Sequence, residues 1–395
     1  MLVLLGCYLP GFRSGGPVRT ISSMVEALSK YFEFHVLTLN HDSGSDVPYD
    51  TVKTGAWNQV GSARVYYIPQ WSISVIRKIA EDVQPDVIYL NGFFATSSLY
   101  GLLARKLKVL PNVPFVLASR GDLAGGALGL KSSKKQTFML LARKLGLYKG
   151  LLWHASSDRE KREMTEQLNE FGVLESEIHV APDLGYGYEE STELGTAKSA
   201  GEAHFVTLSR VTRMKNLPFT LDLFAQLQGT VTLDIFGPIE DQQLWAECGE
   251  KIAKLPPNVS VHYRGELEPS KVVDEMSKRH FFILPTLGEN YGHVIIEGAV
   301  AGCPLIISDR TQWVRLLQKG VGWDIPLDDL SQWKSVVQGC IDMTDETYRR
   351  MSQGAKEFGR AVMNNRENLN ANIGLFQRAT NSAVKQDLRM SGAAR

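Results

Sequence analysis

Short apolar runs of strand length recur along the chain and alternate with longer stretches of helical periodicity. In the first half they include LVLLGCY at 2–8, FHVLTLN at 34–40, DVIYLNG at 86–92 and FVLAS at 115–119. Because these runs are continuously apolar and do not alternate with polar residues, they indicate parallel strands that helices cover on both faces. The chain is therefore predicted to be an α/β protein built from βαβ units.

One segment interrupts this rhythm and is predicted to be a domain boundary. Residues 185–203 are small, polar and acidic, and the strand pattern restarts after them with HFVTLSR at 204–210. A length of 395 residues also fits two domains, at roughly 150 residues each. We therefore expect an N-terminal Rossmann-like domain at 1–184, a linker at 185–203, a C-terminal Rossmann-like domain at 204–366, and a helix and tail at 367–395 that can pack back on the N-terminal domain.

Composition excludes several classes of function. Lys plus Arg and Asp plus Glu number 43 each, so the zero net charge gives no reason to expect a nucleic acid partner. The four cysteines lie far apart without a C-x-x-C pair, which argues against a disulfide framework or zinc site and favours the reducing cytoplasm. No uncharged apolar stretch approaches the roughly 20 residues that span a bilayer, and the apolar N-terminus lacks the basic residues of a signal peptide.

The loop after the first strand carries a glycine pair. Gly15 and Gly16 would let the backbone approach a ligand, and Pro17 suits the first turn of a helix whose free N–H groups attract anions. The loop matches neither the P-loop nor G-x-G-x-x-G, so a plain turn is an equal alternative. The missing G-x-G-x-x-G also makes a Rossmann dehydrogenase the least favoured enzyme class.

Two cations follow the first strand of the C-terminal half. Arg210 and Lys215 lie in SRVTRMKN, between a strand and a helix, where ligands of parallel sheets bind. Fixed positive charges at this place suit a diphosphate. The alternative is a pair of solvated surface charges.

The stretch GENYGHVIIEG places Glu289 and Glu297 eight positions apart in an otherwise apolar segment. Glu289 is expected in a loop and Glu297 on the helix that follows, so the two could flank one cleft. A carboxylate accepts two hydroxyls at once, which suits a ribose diol or a sugar. Backbone N–H groups at the helix start would suit phosphate or developing negative charge; the residues are Asn290, Tyr291, Gly292, His293 and Val294.

Taken together, these residues resemble the retaining, nucleotide-sugar-dependent glycosyltransferases of family 4, the glycosyl transferases group 1. The segment PTLGENYGHVIIEGAVAGCPLIIS, at 285–308, matches the E-x7-E signature of that family. The glycine pair, S-R-x-x-x-x-K, LDIFGP and VHYRG also follow in the family's order, so the resemblance covers nearly the whole chain. It implies the GT-B fold, with two Rossmann-like domains facing each other across a cleft.

The resemblance also implies roles for the donor residues. Arg210 and Lys215 would hold the diphosphate of a UDP- or GDP-linked sugar and stabilise the departing nucleotide. Glu297 would bind the ribose hydroxyls and Glu289 the donor sugar. In this family the cations replace a divalent metal, so neither a metal nor another cofactor is expected.

Further positions follow from the same resemblance. Gly15 and Gly16 would close the N-terminal domain against the donor across the cleft, and the backbone at Arg264 and Gly265 would meet the nucleobase edge. Family members often have a histidine where this chain has Arg120. They also commonly have a His-x-His where this chain has Asn91. We expect Arg120 near the donor or acceptor, whereas His154, a lone histidine at a strand end, is more typical of a structural group than of a base.

Residues 131–149 combine lysines and arginines with an apolar helix face. This pattern is typical of a membrane-surface patch beside a lipid-linked acceptor, although a solvated basic face is an equal alternative. The predicted function is transfer of a sugar to a glycan or polyprenyl-linked acceptor in bacterial surface polysaccharide assembly, in the cytoplasm or on the inner face of its membrane. The alternatives are a GT-B epimerase or hydrolase, and a non-catalytic sugar-nucleotide-binding protein.

Overall fold

The computed structural model describes residues 1–124, 132–185 and 196–392. The chain divides into two compact units, of which unit 1 comprises Met1–Tyr186 with Asn365–Arg395 and unit 2 comprises Gly187–Asn364. Each unit is built on a largely parallel sheet covered by helices. The predicted α/β class with two Rossmann-like sheets is therefore confirmed.

Unit 1 has an eight-stranded sheet in the order β3-β4-β2-β1-β5-β6-β7-β8. The strands are β1 (Leu2–Leu4), β2 (Phe34–Leu39), β3 (Trp57–Val60), β4 (Ala63–Ile68), β5 (Ile88–Asn91), β6 (Phe115–Ala118), β7 (Leu152–Ala155) and β8 (Ile178–Val180). The helices are α1 (Gly16–Leu28), α2 (Ile73–Val83), α3 (Thr96–Lys106), α4 (Ser132–Leu145), α5 (Asp158–Leu168) and, at the C-terminus, Arg366–Gly392. Only β3 runs antiparallel to its neighbour among the described strands.

Unit 2 has a six-stranded parallel sheet in the order β11-β10-β9-β12-β13-β14. The strands are β9 (Glu202–Leu208), β10 (Thr230–Phe236), β11 (Val259–Gly265), β12 (Phe281–Leu284), β13 (Leu305–Ser308) and β14 (Gly322–Ile325). The helices are α6 (Leu217–Phe224), α7 (Gln242–Ile252), α8 (Val272–Ser277), α9 (His293–Val300), α10 (Leu330–Asp342) and α11 (Asp345–Met363); the C-terminal helix of unit 1 is α12. Because the strands are parallel, the loops that follow them gather at one edge of the sheet.

Both sheets are buried on two faces, as continuously apolar strands require. On β12, Phe281 and Ile283 belong to one core cluster while Phe282 and Leu284 belong to another. Successive side chains of a strand point to opposite faces, so the two clusters are the two covered faces of one sheet. This burial explains why the strands lack polar alternation.

The ends of unit 2 and the C-terminal helix differ in detail from the predicted boundaries. Within the stretch predicted as linker, residues 196–203 pack on unit 2, where the buried Lys198 ammonium donates to the carbonyls of Glu202, Ile341 and Met343. Helix α12 packs in unit 1, where Asn372 Nδ2 donates to Pro182 O at 2.8 Å. Within the described residues, no helix combines the length and apolarity that crossing a bilayer would require.

Candidate functional site

Two loops meet at the carboxyl edge of the sheet of unit 2. One follows β9 and the other follows β12, and hydrogen bonds join them at three points. Thr286 Oγ1 and Leu287 N donate to Met214 O at 3.0 and 2.8 Å, and Asn216 Nδ2 donates to Pro285 O at 3.1 Å. The structure therefore brings together two sequence segments that lie about seventy residues apart, and Asn216 has a joining role that the sequence analysis missed.

Lys215 and Glu289 meet at this junction. The Lys215 ammonium donates to Glu289 Oε1, and the two side chains are only 15% and 12% exposed. Lys215 ends a short 3₁₀ helix, Arg213–Lys215, while Glu289 N donates to Arg310 O, so the backbone of both partners is fixed. A half-buried cation beside a half-buried carboxylate can bind an anion and a hydroxyl at neighbouring positions.

Arg210 lies in the same loop as Lys215 but pairs with a different carboxylate. Arg210 Nη1 donates to both carboxylate oxygens of Glu240 at 3.1 Å. Glu240 follows the neighbouring strand β10. The side chains are 45% and 37% exposed, so the pair is open to solvent. Glu240 was not among the predicted site residues. It nevertheless follows the apolar run of β10, at the edge of the sheet where ligands bind.

Glu297 lies on α9, the helix that begins at His293 after Gly292 at its N-cap. Glu297 is 6% exposed and His293 8%, so both side chains are buried. Of the other predicted residues, Tyr291 is buried with its ring centroid 4.7 Å from that of His293 and the ring planes tilted by 50°, while Asn290 and Val294 are half-buried. Trp313 Nε1 donates to Tyr291 O at 2.7 Å and holds the loop before the helix.

Arg264 and Gly265 end β11 at the same edge of the sheet. The Arg264 guanidinium is not free, because its Nε donates to the buried Asp234 at 2.9 Å. Burial would raise the pKa of Asp234, but hydrogen bonds from Arg279 and Arg264 hold that pKa below its ordinary value. The Arg264 side chain is 46% exposed, and contact of the Arg264 and Gly265 backbone with a nucleobase edge stays a prediction.

Gly15 and Gly16 of unit 1 form the start of α1. Gly15 has φ 65°, a conformation that favours glycine, and a Cβ added there would meet no other atom within 4 Å. The preceding turn is held by Asp42, which accepts hydrogen bonds from Phe12 N and Arg13 N at 2.9 and 3.2 Å. The backbone of the glycine pair is thus both fixed and open on one side.

Arg120 lies in unit 1 and is largely occupied by its own protein. Its guanidinium makes four hydrogen bonds, two to Asn91 Oδ1, one to Tyr89 OH and one to Asp183 Oδ1. Arg120 and Asp183 are 7% and 2% exposed, so this is a buried ion pair. Asp183 was not singled out in the sequence, because its pairing with Arg120 joins residues 63 positions apart.

His154 extends the same network. Its Nε2 is 2.7 Å from the carbonyl of Ala181, which can only accept, so Nε2 carries the proton and Nδ1 accepts from Tyr89 OH at 2.6 Å. Burial lowers the pKa of His154 to about 4, and the charge of Arg120 adds to this effect. His154 is therefore neutral with both ring nitrogens occupied, in agreement with the structural role favoured by the sequence.

The comparisons with known proteins agree with this architecture. Residues 194–358, which contain the loops of unit 2, match the family model described as "Glycosyl transferases group 1". A search of curated proteins finds no match. Within the matched residues the resemblance to this family is confirmed, and with it the expectation of a glycosyltransferase.

Solved structures similar to the whole chain are also glycosyltransferases. HepE of Anabaena, in complex with UDP-glucose, has a TM-score of 0.68 at 15% identity, over 96% of this chain and 99% of that chain. The sucrose-phosphate synthase of Thermosynechococcus elongatus has a TM-score of 0.67 at 14% identity, over 100% and 99%. WaaG, described as involved in lipopolysaccharide biosynthesis, has a TM-score of 0.65 at 12% identity, over 92% and 97%. At these identities the likeness shows the fold alone, and the expected GT-B fold is confirmed.

Proposed function

We propose that this protein is a retaining, metal-independent transferase that moves a sugar from a nucleotide-diphosphate donor to a glycan or lipid-linked acceptor. The observation that carries the proposal is the arrangement of Arg210, Lys215, Glu289 and Glu297 in the region that matches the glycosyl transferases, where Lys215 contacts Glu289. Three of these residues lie in loops at the carboxyl edge of the sheet and the fourth on the adjoining helix α9. The UDP-glucose complex of HepE supports a donor of this class.

The donor would be bound by complementary charge and hydrogen bonding. Arg210 and Lys215 would bind the diphosphate, since guanidinium and ammonium groups are the usual partners of phosphate oxygens. The buried carboxylate of Glu297 would accept from the two ribose hydroxyls, and Glu289 from hydroxyls of the sugar. Arg264 and Gly265 would offer backbone groups to the base, and the first turn of α9 would face negative charge.

In the proposed reaction, the bond between the anomeric carbon and the phosphate oxygen breaks while the acceptor hydroxyl forms a bond on the same face. The acceptor proton moves to the departing phosphate oxygen, so no carboxylate nucleophile is required. Negative charge grows on the diphosphate as the bond breaks. The half-buried ammonium of Lys215 would stabilise that charge without having to move. Fixed charges have their largest effect where charge develops in the transition state.

A transfer assay with a panel of donors tests this function. UDP- and GDP-linked hexoses would each be incubated in excess EDTA with lipid-linked and free glycan acceptors, and nucleotide release would be followed. We expect release with one donor class that depends on acceptor, continues in EDTA, and gives a product with the anomeric configuration of the donor. Turnover without acceptor would favour the epimerase or hydrolase, and loss of turnover in EDTA would contradict metal independence.

We also propose that unit 1 binds the acceptor at a membrane surface on the cytoplasmic side, as part of bacterial surface polysaccharide assembly. Exposed leucines lie beside exposed cations on α4, where Leu141 and Leu145 are 54% and 52% exposed and Lys134 and Lys144 are also exposed. Lys131 lies outside the described residues. WaaG, which acts in lipopolysaccharide biosynthesis, supports this class of pathway, and the four cysteines, all free, fit a reducing compartment.

Vesicle co-sedimentation checks the membrane proposal. We expect Lys134→Gln combined with Lys144→Gln to weaken binding to phosphatidylserine-containing vesicles by about thirtyfold, since each cation near an anionic surface contributes ~1 kcal/mol. The matched control is Lys30→Gln with Lys78→Gln, which removes two exposed lysines of unit 1 outside α4 and should leave binding unchanged. Equal binding to neutral and anionic vesicles would contradict the proposal.

A further inference from the structure

The two cations of the candidate diphosphate site are each paired with a carboxylate, and the pairs differ in one respect. Lys215 pairs with Glu289, which has a proposed second partner in the donor sugar. Arg210 pairs with Glu240, which has no partner in the proposed reaction. An acid beside an anion site lowers its affinity for anions, so the presence of Glu240 needs a physical reason.

The position of Glu240 is fixed by its backbone. Val211 and Ile239 form a bridge between the loops after β9 and β10, Val211 N donates to Pro238 O at 2.8 Å, and Asp241 N donates to Val211 O at 3.2 Å. A Cβ at Gly237, whose φ is 122°, would lie 2.0 Å from Ser209 O, so the loops are in close contact. Arg210 and Glu240 are therefore held side by side by the sheet.

The carboxylate of Glu240 accepts hydrogen bonds from the Arg210 guanidinium, which is the group proposed to bind phosphate. Both carboxylate oxygens of Glu240 lie 3.1 Å from Arg210 Nη1. A phosphate group presents oxygens to the same guanidinium, so a nucleotide bound at Arg210 competes with Glu240 for it. The displaced carboxylate would stay near the diphosphate and repel it, since the loop backbone is fixed.

This repulsion discriminates between donor and product. Once the proton taken from the acceptor has been lost to solvent, a nucleoside diphosphate carries one more negative charge than its sugar ester, because transfer has freed a terminal phosphate oxygen. A fixed carboxylate therefore destabilises the product complex more than the donor complex. We propose that Glu240, held beside Arg210, repels the nucleoside diphosphate product more than the donor, and so promotes product release. This inference rests on the proposed function.

Titration calorimetry with UDP and GDP on the full chain tests the inference. Glu240→Gln keeps the size of the side chain and removes its charge. We expect the variant to bind the nucleoside diphosphate about fivefold more tightly than the wild type, as the loss of an exposed ion pair and its repulsion allows. The sugar ester should gain less, so the Ki of the product should fall more than the KM of the donor. Glu240→Asp, which keeps the charge, should restore most of the wild-type selectivity.

Two further variants separate this mechanism from a general change of surface charge. Glu247→Gln removes another acid of the same unit, paired with Arg213 at 3.6 Å, and should leave both affinities unchanged. In an Arg210→Met background, Glu240→Gln should still strengthen binding of the product more than binding of the donor, because the repulsion between the carboxylate and the diphosphate does not require Arg210. The gain should also shrink as salt is raised.

The outcomes are distinct for the two proposals. If the wild-type chain binds neither UDP nor GDP, the proposed function fails. If it binds one of them and Glu240→Gln leaves the ratio of product to donor affinity unchanged, or lowers it, the role of Glu240 is wrong while the donor site stands. An equal effect of Glu240→Gln on product and donor affinity in the Arg210→Met background would also overturn the mechanism.

Discussion

Lys215→Met should lower kcat/KM for sugar transfer by about 10²- to 10³-fold, which is the usual effect of removing one fixed group that stabilises charge in a transition state. The ammonium lies at the junction of the loops after β9 and β12, where it contacts Glu289. Methionine keeps the volume and the apolar stem but offers no charge to the departing diphosphate. Steady-state kinetics on the preferred donor would measure the loss.

The matched control for this variant is Lys251→Met. Lys251 also pairs with a carboxylate in unit 2, at 2.6 Å from Asp222 Oδ1, but it lies at the far end of α7. We expect it to leave kcat/KM within about twofold of the wild type, as surface substitutions away from a site usually do. Wild-type turnover by Lys215→Met, with its fold intact by thermal melting, would remove Lys215 from the reaction.

Arg120→Met should destabilise unit 1 by about 3–5 kcal/mol, because it leaves the carboxylate of Asp183 buried without its charge partner. The pair is 7% and 2% exposed at 2.8 Å, and Thr20 Oγ1 also donates to Asp183, so solvent cannot replace the lost guanidinium. Hydrogen exchange measured by mass spectrometry would locate the loss of protection in β5 to β8. Hydrogen exchange reports the stability of each unit by itself, which matters because the two units need not unfold together.

Two further variants distinguish a structural arginine from a ligand-binding one. Arg77→Met removes an exposed arginine paired with Glu81 in the same unit and should leave the protection of unit 1 as in the wild type. Arg120→Met combined with Asp183→Leu removes both buried charges and should recover much of the lost stability. If Arg120→Met instead keeps full protection and loses only turnover, Arg120 contacts the donor or acceptor, as the sequence predicts.

The strands that the sequence predicts are those that a sheet buries on both faces. Continuous apolar runs located β2, β5, β6 and β9, since burial on two faces leaves no polar alternation. The strands β3, with sequence WNQV, and β14, with sequence GWDI, were missed. Each lies at an edge of its sheet and is only partly buried, so its pattern does not differ from that of a loop.

The candidate site shows the same division. Arg210, Lys215, Glu289 and Glu297 could be predicted because each lies within one short segment that follows a strand or starts a helix. Their partners could not be predicted, since Glu240 and Asp183 reach Arg210 and Arg120 only through the pairing of strands and loops distant in sequence. For Arg120 the sequence therefore predicts a ligand contact, whereas the structure shows hydrogen bonds within unit 1, and the variants above decide between the two.

An experimental structure of the chain with its preferred nucleoside diphosphate would test the proposed donor site. The position of the nucleotide in that structure is the decisive measurement. We predict diphosphate oxygens within hydrogen-bond distance of Lys215 and Arg210, and ribose hydroxyls on Glu297. Glu240 should have moved away from Arg210. A nucleotide bound elsewhere, with the Lys215–Glu289 and Arg210–Glu240 pairs intact, would contradict the account.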